Sequence, residues 1–93
     1  MEIIVTKGFR KELRLCPKHI QEKTGDIIGI LETAENLKKS GVDYRKMEGQ
    51  KKNENYYRIR IGNWRMGVEL KMPSIIILTI LSRGEIYKQF PPK

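Results

Sequence analysis

Cysteine and histidine are nearly missing from this chain of 93 residues, each present once, as Cys16 and His19. A lone cysteine cannot close an internal disulfide, so a reducing, cytoplasmic setting is expected. A lone histidine rules out any ribonuclease mechanism built on a histidine pair, and neither residue stands at metal-ligand spacing. No apolar run approaches the roughly 20 residues of a membrane span. The opening Met1-Glu2-Ile3-Ile4-Val5 lacks the charged-then-apolar layout of a secretion signal. Acidic residues are scarce, 11 Asp and Glu against 19 Lys and Arg, giving a net charge of +8 and a pI near 9.8. That excess favours nucleic acid or an acidic protein as partner. Repeats, linkers and low-complexity stretches are also lacking. The length suffices for one domain, 1–93, with a modest core.

What the chain does have is concentrated between Tyr56 and Val68. Side chains alternate along a strand, so Tyr57, Ile59 and Ile61 share one face, and Tyr56, Arg58 and Arg60 the other. Gly62-Asn63 fits a two-residue type II′ turn, Gly supplying the positive φ at its first position. That turn sets Ile61 opposite Trp64, Ile59 opposite Met66 and Tyr57 opposite Val68. It also sets Arg60 opposite Arg65, Arg58 opposite Gly67 and Tyr56 opposite Glu69. Like charges facing each other across a hairpin are destabilising. Arg58, Arg60 and Arg65 on one face therefore point to an anion, with a phosphate backbone as first candidate.

Around this hairpin the pattern predicts a strand over Glu2–Thr6 and a helix from Lys7 to about Leu15. A second amphipathic helix is expected from Pro17 to about Lys38, with a kink near Thr24-Gly25-Asp26 and an end at Ser40-Gly41. Residues 42–55 read as a polar surface connection with Met47 tucked inward. After a turn at Pro73-Ser74, Ile75 to Leu81 is apolar on both sides and reads as a buried central strand. The order is strand, two helices, then three strands (β-α-α-β-β-β). That is a two-layer α+β domain with its helices on one face of an antiparallel sheet and the arginines on the open face.

Tyr57-Arg58-Ile59-Arg60-Ile61, Gly62-x-Trp64-Arg65 and Arg83-Gly84-x-x-Tyr87 after an apolar strand together resemble the RelE/ParE superfamily of toxins, most closely its RelE branch. The order of elements matches too, so the likeness covers nearly the whole chain. It implies a toxin of a type II toxin–antitoxin pair, a ribosome-dependent endoribonuclease that cuts mRNA and inhibits translation. The site residues it implies are Arg58, Arg60, Arg65, Arg83 and Tyr87. Some relatives carry Lys at the first two positions, the Arg-to-Tyr spacing varies, and many relatives end in a longer C-terminal helix. The implied partners are a small antitoxin protein, the ribosome and mRNA, with no metal or organic cofactor.

The implied reaction is attack of an RNA 2′-hydroxyl on the adjacent phosphodiester. Arginines suit the charge on the pentavalent phosphorane, since a guanidinium holds phosphate oxygens through two hydrogen bonds. They do not suit proton abstraction. Glu69, placed by register on the open face, is a candidate base, and Tyr87 is a candidate for base stacking or proton movement. Tyr56, Lys51, Lys52 and Lys88 are candidate RNA contacts. Two alternatives stay open on these residues: a ParE-like gyrase inhibitor without nuclease activity, and an inactive relative that only binds nucleic acid.

Overall fold

The computed structural model describes residues 1–92. Along the chain run β1 (Glu2–Val5), α1 (Lys7–Arg14), α2 (Lys18–Thr33), α3 (Leu37–Ser40), β2 (Tyr44–Lys46), β3 (Tyr56–Ile61), β4 (Trp64–Lys71), β5 (Ser74–Ser82) and α4 (Ile86–Gln89). The five strands form one sheet ordered β1-β5-β4-β3-β2, so the α+β class holds. The sheet is mixed rather than wholly antiparallel, because β1 runs parallel to β5, Ile3 facing Ile75. Parallel neighbours need a long crossover, and here α1 to α3 and β2 to β4 all lie between the two strands.

Thr6 joins three of these elements. Its hydroxyl accepts from the Phe9 N–H, capping α1, and donates towards the carbonyls of Ile77 and Leu78 on β5 at 3.2 and 3.1 Å. The second helix starts after Pro17, where a missing N–H is harmless. It runs unbroken through Thr24-Gly25-Asp26, where a kink was expected. Thr24 is fully buried there, and its hydroxyl donates to the Ile20 carbonyl at 2.7 Å, while Gly25 lies on the exposed side. The helix ends at Thr33 instead of near Lys38. Asn36 caps a separate turn, α3, by accepting from the Lys39 N–H at 2.9 Å, and Gly41 closes it at φ +78°.

Helical Phe9, Ile20, Leu31 and Leu37 pack on Ile59, Ile61, Met66, Val68, Ile75, Ile77 and Ile80. This is the expected two-layer core. A second, smaller cluster, Met47, Ile86 and Phe90 with Tyr56, Leu78 and Leu81, packs on the other face. Met47 is buried as expected, but in this cluster and not under the helices.

The central strand carries an irregularity that decides which way its end points. Val68 faces Ile77 while Gly67 faces Thr79, so Leu78 is an extra residue in β5. Strict alternation from Ile75 would send Leu81 and Arg83 towards the helices. The bulge shifts the alternation by one residue, so Ile80 joins Met66 in the core and Leu81 faces Arg65. Arg83 thereby leaves the strand on the arginine side.

Candidate active site

Gly62 adopts φ +60°, as the hairpin turn requires, and the observed pairing is Ile61–Trp64, Arg60–Arg65, Ile59–Met66, Arg58–Gly67, Tyr57–Val68 and Tyr56–Glu69. Every expected cross-strand pair is present. Arg83 is brought to the same end of the sheet by its N–H, which donates to the Asn63 carbonyl in the turn at 2.9 Å.

Arg65 is the centre of the arrangement. It is only 7% exposed, although it stands on the face expected to be open. Its Nη1 donates to the carbonyls of Gly62 and Trp64 at 2.8 and 2.9 Å, which fixes the guanidinium, while its buried Nε finds no partner among the described residues. Burial, then the charges of Arg58 and Arg60, and also that of Arg83, push its pKa down; Tyr87 acts in the opposite sense. Arg58, Arg60 and Arg83 therefore all bear on one buried cation. Such a cation needs an anion or a costly desolvated state.

The like-charge crowding has a thermodynamic signature. A guanidinium with a depressed pKa is less stable charged when folded than when unfolded, so this cluster weakens the fold throughout the neutral range. Screening should relieve it. Thermal stability is expected to rise as salt goes from about 0.01 M to about 1 M, while the Debye length shrinks from about 30 to about 3 Å. Arg60→Ala should stabilise the protein by about 0.2–1 kcal/mol, the scale of a like-charged cross-strand pair. The exposed Arg60–Asp43 contact at 4.0 Å offsets little of this. A melt that falls with salt would contradict the assignment.

Tyr87 is positioned by a segment with its own packing. Ile86 and Phe90, one helical turn apart on α4 and its cap, are both buried, so Tyr87 between them is turned outward, 58% exposed. There the Arg58 guanidinium lies 5.7 Å from its ring centre. Phe90 lies against Gly67, where a Cβ would come within 2.9 Å of the ring, and meets the Tyr56 ring edge-on at 5.5 Å. Gly67 is thus the notch that seats the C-terminal segment. A glycine in mid-strand is the available sequence signal for such a close approach.

Other candidates fall outside the cluster. Glu69 shares the arginine face but stands four residues along β4 from Arg65, about 13 Å at strand rise. Its carboxylate lies 3.8 Å from Lys71. Tyr56 is half-buried beneath Phe90; burial, then Glu69 and Glu54, push its phenol pKa up. Lys51 and Lys52 are exposed on the loop before β3, and Lys88 is exposed on α4, 3.5 Å from Glu85. Cys16 is buried, with its thiol pKa raised by that burial and by Glu12. Arg45, on the unexpected strand β2, faces Arg58 and was missed. No group of three His, Cys, Asp or Glu side chains that could hold a metal ion occurs among the described residues. Among those residues no helix is long and apolar enough to cross a membrane.

A sequence profile described as the ParE toxin of the type II toxin–antitoxin system matches residues 3–87. The chain belongs to the RelE/ParE family of toxins. It is 36% identical over 91 residues to Toxin RelE3 of Methanocaldococcus jannaschii, covering 98% of this chain and all of that protein. Its fold is similar to the toxin of a RelB–RelE antitoxin–toxin complex from Methanococcus jannaschii, with 35% identity, a TM-score of 0.78, and 95% and 99% of the two chains covered. An archaeal RelE–RelB complex from Pyrococcus horikoshii is similar at 26% identity and a TM-score of 0.71, covering 89% and 94%. In this RelE/ParE-type toxin Arg58 and Arg60 on β3, Arg65 on β4, and Arg83 and Tyr87 after β5 share one side of the sheet.

Proposed function

We propose that this toxin is an endoribonuclease that cuts mRNA on the ribosome and so inhibits translation. The observation that carries the reading is the buried Arg65 guanidinium, held by two carbonyls, with Arg58, Arg60 and Arg83 acting on its charge. In the proposed reaction the 2′-oxygen bonds to phosphorus as the bond to the 5′-oxygen breaks. The 2′-proton is lost, the 5′-oxygen gains one, and a cyclic phosphate remains. Preorganised arginines stabilise the phosphorane. In this reading Tyr87, whose ring centre lies 5.7 Å from the Arg58 guanidinium, holds a base or passes a proton.

The arginine cluster holds no strong base, with Glu69 far along β4 and paired to Lys71. Much of the acceleration must then come from holding the message in a cleavable geometry, and effective molarities from positioning alone reach about 10⁵–10⁸ M. The ribosome supplies that geometry. The likeness to chains solved as RelB–RelE complexes supports a cognate antitoxin as protein partner.

The family profile carries the ParE description, which favours gyrase as the second target to test. Message ends should be mapped after adding the protein to programmed ribosomes and to naked RNA. Cuts inside codons at the decoding site, with free RNA left largely intact, are expected. Robust cutting of naked RNA at comparable rates would overturn the ribosome's role. DNA damage with intact messages in expressing cells would move the toxin to the gyrase reading.

A further inference from the structure

The arginine surface does not stop at the cluster. Arg45 on β2 faces Arg58 on β3, a second like-charged cross-strand pair on the same face as Arg60 and Arg65. Past Arg58 and Tyr87 lies a cavity of about 890 Å³ between the loop after β2 and the C-terminal segment. Five cationic residues line it, Arg45 and Lys51 among them, against only Glu48 and Glu54, while Lys46, opposite Tyr57, turns its side chain to the helix face of the sheet. The Glu54 carboxylate is already engaged, accepting from the Lys51 N–H at 2.8 Å. Tyr87, Pro91 and Pro92 supply an apolar and aromatic wall, seated on the buried Met47 and Phe90.

The loop beneath that wall is fastened to β3 by the Met47 N–H, which donates to the Tyr56 carbonyl at 3.0 Å, and by the Gln50 side chain. Gln50 donates to the carbonyls of Met47 and Tyr56 at 2.6 and 2.8 Å and accepts from the Tyr56 N–H at 2.7 Å. The loop is thereby held on β3 as a strand would be, and the cavity is preformed. Cations that follow a phosphate backbone, beside an apolar and aromatic surface that takes a base, are what single-stranded nucleic acid requires. The volume lies within the roughly 300–1,000 Å³ of small-ligand sites.

We infer that this cavity is a subsite for the unpaired nucleotide adjoining the scissile phosphate, with its own phosphate at Arg45 and Lys51 and its base against Tyr87, Pro91 and Pro92. The inference rests on the nuclease reading above. Arg58 and Tyr87 belong to both places, so a strand leaving the arginine cluster passes directly into the cavity.

The test compares binding of a dinucleotide and a tetranucleotide, both made uncleavable by a 2′-deoxy substitution, to the whole protein by fluorescence anisotropy. The tetranucleotide should bind more tightly. The double variant R45A/K51A, at two exposed positions, should lose roughly three- to tenfold more affinity for the tetranucleotide than for the dinucleotide, the scale of two exposed ionic contacts. Its salt slope for the longer strand should fall by about 1.4. R65A should weaken both lengths. No gain with length, or equal losses for both strands in R45A/K51A, retires the subsite while an R65A effect keeps the nuclease reading. Dinucleotide binding untouched by R65A overturns that reading and the subsite with it. A poly-glutamate peptide bound with the same dependence on Arg45 and Lys51 would assign the cavity to an acidic protein segment, and the inference would fail.

Discussion

Replacing Arg65 by alanine should lower message cleavage by about 10²–10³-fold or more, the loss typical for removing one preorganised donor from a transition-state anion site. The fold should survive. The variant leaves the Gly62 and Trp64 carbonyls without their side-chain donor, which costs stability. It also removes a buried cation repelled by Arg58, Arg60 and Arg83. These effects oppose each other, so the melt should stay within about 1 kcal/mol of wild type. Arg65→Lys should not rescue the rate. One ammonium cannot bond both turn carbonyls and still present a flat, two-point face to a phosphate. Sulfate adds a second readout. It should stabilise the wild type beyond sodium chloride at equal ionic strength, because an anion bound only by the folded state shifts unfolding by mass action. Arg65→Ala should lose that extra stabilisation. Full activity in Arg65→Lys, or an unchanged sulfate effect in Arg65→Ala, would remove Arg65 from the centre of the site.

The hairpin was legible because its apolar face alternates strictly from Tyr57 to Val68 and its turn residue has one favoured geometry, so each pair followed from counting. That alone set Arg60 opposite Arg65. The position of Arg83 could not be counted in the same way. Residues 75–81 are apolar on both faces, and the bulge at Leu78 is not marked by glycine or by a change in polarity. Whether Arg83 reached Arg65 depended on that one extra residue. Strand β2 was hidden differently, since Tyr44-Arg45-Lys46 is too short and too charged to announce itself and is held by pairing with β3. Missing it also concealed Arg45 and the cavity beside it. The burial of Arg65 could not be read either. Its face is not open: Leu81 stands opposite it on β5, and the C-terminal cluster of Ile86 and Phe90, distant in sequence, packs on the same side of the sheet. Two local features, the lack of a side chain at Gly67 and the one-turn spacing of Ile86 and Phe90, carry that packing in the sequence.

Gly67→Ala tests whether that packing positions the chemistry. The added Cβ would stand 2.8 Å from Cγ2 of Thr79 and 2.9 and 3.0 Å from two ring carbons of Phe90. Neither neighbour gives way easily. Thr79 is β-branched and its hydroxyl donates to Glu12 at 2.6 Å, while Phe90 is buried against Tyr56. Overpacking of this kind costs about 1–3 kcal/mol, a fall in Tm of roughly 5–20 °C for a domain of this size. The side that yields should be the C-terminal one, since β4 and β5 are locked by their ladder and α4 by little more than Ile86 and Phe90. Tyr87 would then leave Arg58, and cleavage should fall towards the level of Tyr87→Ala although no group of the site has been altered. Trypsin should cut after Lys88 sooner than in the wild type. Phe90→Leu gives the control, because a smaller side chain leaves room for the new methyl. Gly67→Ala should therefore cost less stability in that background, a coupling readable from a double-mutant cycle. Equal costs in both backgrounds, with Lys88 protected throughout, would mean that Phe90 does not seat the segment and that Tyr87 is held over Arg58 by other contacts.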